Sequence, residues 1–243
     1  MNTDIKVEKT SSYFISQCKE RYEQIATAHQ HSLRPAITIA HQSGTGVSEI
    51  AGRLAEILEN TGFKGQHGWT VFDQELIEKA LEEQRWPKQL AEKITEEKRL
   101  FIDELMDDLF GLLPPSWVLV PQVTETTMRL ATAGHAILVG HGATVVTANL
   151  SNVFHVRLTG SLPRRIERIQ RTQNLTVEAA TKFVRGEDRR RTCYLKAHFH
   201  TRLDDELLYN LIINTDRCSE GDAAVLMARA AERFFSARQI SEA

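Results

Sequence analysis

Apolar positions along the chain fall into two alternating rhythms. Short, nearly unbroken apolar runs occur at Pro35–Ala40 ("PAITIA"), Trp69–Phe72, His135–Gly142 ("HAILVGHG"), Val153–Gly160 ("VFHVRLTG") and Tyr209–Asp216 ("YNLIINTD"). Runs this short, bounded by Gly, Asp or Ser, predict buried strands. Between them lie stretches with helical spacing. "SEIAGRLAEILEN" places Ile50, Leu54, Ala55 and Leu58 on one face, as an amphipathic helix requires. Further helices are predicted after Asp73, which is placed to cap one, and over "LPRRIERIQRTQ", "TVEAATKFVRGEDRRRTCYLKAHF" and Ala223–Ser236.

The resulting order is β-α-β-long α-β-β-α-α-β-α. It predicts an α/β fold: three α/β/α layers around a five-stranded parallel sheet covered on both faces. Residues 1–34 are polar, with Phe14, Ile15, Cys18, Tyr22 and Ile25 at near-helical spacing, and read as an N-terminal helical extension. Residues 35–243 form the main domain. Within it, residues 86–133 are rich in charge and helical in pattern, broken at "PPSW", and read as a helical insertion. Either helical segment can pack on the domain or on a second subunit, so a homo-oligomer is compatible with the pattern.

Composition narrows the class without naming a function. The 243 residues are 42% hydrophobic and 26% charged, as in an ordinary globular chain. A net charge of −2 gives no bulk electrostatic footprint for nucleic acid, and none is expected as a partner. The three cysteines, Cys18, Cys193 and Cys218, are far apart and form no C-x-x-C pair. This fits a reducing compartment. The start carries no signal-like apolar stretch and no apolar run reaches membrane-spanning length. A cytoplasmic protein without membrane contact is the expectation.

Candidate chemistry begins at the first strand's end. "AHQSGTGVSEIAGRL" runs from strand through Ser43, Gly44, Thr45 and Gly46 into a helix. Successive backbone amides at a helix N-terminus make a nest for phosphate. Aligned on the phosphate-loop pattern G-x-x-x-x-G-K-[ST], Ser48 takes the place of the Mg²⁺-binding hydroxyl. Val47 takes that of the lysine, and His41 that of the first glycine. An ordinary glycine turn is the competing reading. Arginines then cluster at Arg164, Arg165 and Arg168, and again at Arg185, Arg189, Arg190 and Arg191. Such clusters suit multidentate phosphate recognition; a solvated face paired with Glu167, Glu178 and Asp188 is the plainer alternative. Gly140 and Gly142 flank His141 where the third strand leaves the sheet, as a substrate contact or a tight turn.

Six segments in order carry a resemblance: "IAHQSGTGVSEIAGRLAEIL", "VFDQELIEKAL", "AILVGHGATVV", "VFHVRLTGSLPRRIERI", "DRRRTCYLKAHF" and "YNLIINTDR". Over roughly residues 35–236 the chain resembles the cytidylate kinase-like family, among the P-loop nucleoside monophosphate kinases. The resemblance implies that Ser43, Gly44, Thr45, Gly46, Val47 and Ser48 form the phosphate loop, with Mg²⁺ and ATP as cofactor and donor. It implies that Asp73 faces an acceptor nucleotide, and that Gly140, His141 and Gly142 lie where these kinases hold the acceptor phosphate. Arg165, Arg168, Arg190 and Arg191 would act on the transferring phosphoryl group, and residues 174–204 would form a helical lid. Residues after "INTD" would lie near the donor base. The function implied is ATP-dependent phosphoryl transfer to a small acceptor such as CMP. Val47 in the lysine place and His141 in the place of an arginine keep a second reading open, a nucleotide-binding sensor without efficient turnover.

Overall fold

The computed structural model describes residues 34–60, 68–73 and 116–238. Five strands form one wholly parallel sheet: β1 (Ala36–His41), β2 (Thr70–Asp73), β3 (Ala136–Val139), β4 (Val153–Thr159) and β5 (Leu211–Asn214). Their spatial order is β2-β3-β1-β4-β5. The register sets Thr38 beside Leu138 on one side and beside His155 on the other. The chain leaves central β1 for one edge of the sheet and later crosses over it to the other. That makes the carboxyl end of β1 the switch point where ligands bind in open α/β sheets.

Each face of the sheet has its own core. Helix α1 (Val47–Glu59) and the closing helix α6 (Glu220–Ala237) cover one face. There Ile37, Ile39, Val156 and Leu158 pack on Ile50, Leu54, Leu58, Met227 and Phe235, nearly all fully buried. Burying one such side chain contributes about 1.5–3 kcal/mol, so this layer anchors β1 and the loop that follows it. Helices α2 (Ser116–Ala133) and α3 (His141–Val146) cover the other face, with Met128, Ala131, Leu138, Ala143 and Val146 at the contact. Helices α4 (Leu162–Gln173) and α5 (Val177–Phe199) pair through a small core of Ile169, Ala180 and Val184.

The predicted architecture is therefore present, with local corrections. The third strand ends at Val139, and His141–Val146 is a helical turn instead of strand. Gly140, at φ +146°, makes the break. Ser116 and Trp117 belong to α2, so "PPSW" is not wholly a breaker. The last strand is shorter than expected, and a short 3₁₀ helix (Glu206–Leu208) precedes it. α6 starts three residues early because the Ser219 hydroxyl accepts the Asp222 amide as its cap. The N-terminal extension to residue 33, the helix expected after Asp73 and the first part of the 86–133 insertion lie outside the described residues. Among the described residues no helix is long and apolar enough to cross a membrane.

Candidate functional site

The loop after β1 turns through two glycines in left-handed conformation, Gly44 at φ +83° and Gly46 at φ +79°. Neither tolerates a side chain. A Cβ on Gly44 would lie 2.5 Å from the Arg165 carbonyl oxygen, and one on Gly46 would lie 2.7 Å from Arg168 Nη1. The loop is braced from within, where the Thr45 hydroxyl donates to the Gln42 carbonyl at 2.8 Å. Across its mouth the Gly160 amide donates to Gln42 Oε1 at 3.0 Å. Gly46 then opens α1 without any side-chain cap. A left-handed turn of this kind at an uncapped helix start is an anion nest.

Two of the predicted arginines face this loop. Arg165 is buried; its Nη1 donates to the Ser43 carbonyl at 2.9 Å and to Asp188 Oδ2 at 2.7 Å, and its Nε to the Gly160 carbonyl at 3.0 Å. Arg168 lays its guanidinium against Gly46 and pairs with Glu220 at the start of α6. That pairing holds the Glu220 carboxyl below its ordinary range. Further along the α4 face, Arg164 and Arg171 join Arg165, Arg168, Gly44, Thr215 and Asp216 around an open cavity of about 280 Å³. Hydrogen bonding from Ser161 holds Asp216 below the usual carboxylate range, keeping it ionised at the cavity rim.

The second arginine group lies on α5. Arg190 and Arg191 both pair with Glu187, the latter at 3.7 Å, and Arg191 Nη1 lies 3.8 Å from Asp188 Oδ1. The four nominated arginines are thus each held by a carboxylate of the chain itself. The plain solvated-face reading holds for Arg164, whose partner Glu167 is as exposed as it is, and for the exposed Arg185 and Arg189. His41 stands close enough to Arg191 to sense its charge. Burial first, and Arg191 second, push the imidazole down to about 3, and its Nδ1–H donates to the Gln42 carbonyl.

Val47 and Ser48 behave differently. Val47 is packed into the main core with Ile50 and Leu54, so its side chain faces the core. Ser48 is exposed on the first turn of α1, the place from which a hydroxyl reaches a loop-bound ion. Among the described residues no group of three or more His, Cys, Asp or Glu side chains could hold a metal by itself. A divalent ion here needs phosphate oxygens as partners, which is the way Mg²⁺ is normally held.

The residues expected on the acceptor side are placed at the ends of β2 and β3. Asp73 is the last residue of β2 and pairs in register with Val139. Gly140 is the turn, and His141 and Gly142 open α3. Beneath them Phe72, Thr124, Leu138, Gly142, Tyr194 and Phe199 help line a water-sized cavity of about 10 Å³. The Thr124 hydroxyl is buried there without a hydrogen-bond partner among the described residues. The structure brings Arg165, Arg168 and, through Asp188, Arg191 to the loop; Asp73 ends β2 and His141 opens α3.

Sequence reasoning missed Gln42, Glu187, Glu220 and Asp216; it named Asp188 as a partner for the arginines, and Asp188 does pair with Arg165. An acidic residue inside an arginine run was a signal for Asp188 and Glu187. Nothing local marks Gln42 or Glu220, whose partners lie far along the chain.

Comparison with known proteins bears on the family and the fold. The model of the cytidylate kinase-like family matches residues 36–217. No curated protein matches the chain. Among solved structures, an uncharacterised protein from Eubacterium ventriosum aligns at TM-score 0.54 and 15% identity, covering 84% of this chain and 99% of that one. A gluconokinase from Sinorhizobium meliloti aligns at TM-score 0.41 and 12% identity, covering 85% of this chain and 94% of that one. A shikimate kinase from Bacteroides thetaiotaomicron aligns at TM-score 0.41 and 13% identity, covering 84% and 97%. The first likeness supports the fold; the other two are too loose to argue from.

Proposed function

Because the chain belongs to the cytidylate kinase-like family, we propose that it transfers a phosphoryl group from ATP to a small acceptor, a nucleoside monophosphate such as CMP. The observation that carries this reading is the Ser43–Ser48 loop, with Gly44 and Gly46 at positive φ and Arg165 and Arg168 closed onto it. Transfer of this kind needs positioning and charge neutralisation, with no covalent intermediate.

In this reading the amides of Ser43, Gly44, Thr45, Gly46, Val47 and Ser48 hold the donor phosphates. Mg²⁺, when bound, neutralises charge between the outer phosphates, and Ser48 is the residue to hold it. Arg165, Arg168, Arg190 and Arg191 exchange their carboxylate partners for the oxygens of the transferring group. Arg168, lying on Gly46, supplies cationic charge near the loop that the lysine place does not. Asp73 orients the acceptor, and Gly140, His141 and Gly142 border its site. Helix α5 moves as the lid and excludes water.

A second reading, a nucleotide sensor without efficient turnover, is favoured by one observation: the Val47 side chain is built into the core and offers the phosphates no charge. Calorimetry with MgATP beside a coupled ADP-release assay across acceptors, CMP included, separates the two. Binding with acceptor-dependent release is the expected result. Binding without release from any acceptor makes the protein a sensor, and no binding at all removes both readings.

A further inference from the structure

The phosphate loop already holds an anion of the chain's own. The Ser43 amide, the first N–H of the loop, donates to Asp188 Oδ1 at 2.8 Å. The other oxygen of that carboxylate takes the buried Arg165 guanidinium at 2.7 Å, and Arg191 stands 3.8 Å away. Asp188 comes from α5, 145 residues along the chain, so this is a tertiary latch and no local turn. A backbone amide and a guanidinium converging on one anionic group is how a phosphoryl oxygen is held.

Position within the loop says which phosphoryl group this replaces. The amides nearest the start of α1, from Gly44 to Ser48, are those that cradle the inner phosphates of a bound nucleotide. Ser43 lies at the far, strand end, where Arg165 and the α5 arginines meet.

Resting on the reading of this loop as a donor site, we propose that Asp188 is a specificity-determining residue that occupies the terminal-phosphoryl subsite and competes with the donor's third phosphate. A diphosphate fits beneath it with α5 in place. A triphosphate must first displace the carboxylate from Ser43, since one amide N–H serves one anion well and a carboxylate and a phosphoryl group at the same spot repel each other. Donor entry is then coupled to release of α5 from the loop, and product ADP is retained in the latched state.

The test is calorimetry of MgATP and MgADP against the full-length wild type, Asp188→Asn and Asp188→Ala, with thermal unfolding to report that each is folded. Wild type is expected to bind ADP at least as tightly as ATP. Asp188→Asn keeps the shape and removes the charge. It should tighten ATP by about tenfold, the worth of one charge-assisted hydrogen bond, and leave ADP within about twofold. Asp188→Ala carries the same expectation if the Asn variant fails to fold. Equal changes for both nucleotides, or weaker ATP binding in the variants, overturn the proposal while leaving the donor site standing. Absence of binding of either nucleotide to any form overturns the donor site and the proposal together.

Discussion

Two neighbouring regions at the carboxyl end of the sheet are built on opposite principles. On the β1–β4 side, the loop, α4 and α5 hold four arginines against Asp188, Glu187 and Glu220 around two left-handed glycines. On the β2–β3 side, Asp73 ends β2 and Gly140 follows β3, and Gly142 borders a water-sized cavity lined by apolar side chains, two threonines and a tyrosine. The first region is a charge-compensated cluster of arginines and carboxylates beside a glycine turn. The second is a scaffold edge whose chemistry depends on what approaches it. The difference teaches that, under the proposed function, this chain specifies the phosphate-holding side more firmly than the acceptor side.

The largest expected effect falls on the arginine side. Arg191→Ala should lower acceptor-dependent ADP release by about 10²–10³-fold, as removal of a transition-state donor does, with the far-UV circular dichroism unchanged. Unchanged turnover would take α5 out of the lid role. Arg165→Ala should also cost about 2–4 kcal/mol in urea unfolding, because it leaves Asp188 without its buried partner.

The glycines sharpen the contrast. Gly46→Ala forces a Cβ into left-handed backbone and into the Arg168 guanidinium. It should cost about 1–3 kcal/mol and abolish measurable ATP binding. Gly142→Ala, inside α3 and not at positive φ, should change stability by less than about 1 kcal/mol. Equal penalties at the two sites would erase the distinction between the regions.

Val47→Lys tests whether the lysine place is recoverable. Val47 sits in the core, so the substitution should lower stability by about 1–3 kcal/mol without raising turnover in the ADP-release assay.

A smaller effect follows from pH. Burial holds His155 at about 4, beside the Thr38 hydroxyl at 2.8 Å, and holds His41 at about 3. Both folded values lie below the unfolded value of 6.5. Stability is therefore fully present above pH 6.5 and falls as the unfolded chain takes up protons that the folded chain refuses. Each histidine should remove up to about 2 kcal/mol between pH 6.5 and 5. Urea midpoints that stay flat over that interval would contradict the burial of both rings.

Much of the fold was legible in the sequence because a parallel sheet needs continuous apolar strands, and "AITIA", "AILV" and "VFHVRL" are nearly that. Helix faces followed from spacing, as Ile50, Leu54 and Leu58 show. The glycine turn after β1 was legible because Gly44 and Gly46 adopt a conformation few other residues accept. What was not legible is tertiary. The α3 turn depends on Gly140 at an extreme φ, the direction of Val47 on core packing, and the arginine partners on meetings of α4 with α5 and with α6, as in Arg165–Asp188 and Arg168–Glu220. Charge clusters in sequence announce phosphate chemistry, yet they do not say which carboxylate holds which arginine while no phosphate is there.

The central claim is that Gly44–Ser48 hold the inner phosphates of a nucleotide. A crystal structure of the full chain grown with MgADP tests it most directly. The account predicts β-phosphate oxygens within hydrogen-bonding distance of the Gly44 to Ser48 amides, with Arg168 turned toward them from Glu220. ADP bound elsewhere, with those amides unliganded, would contradict it.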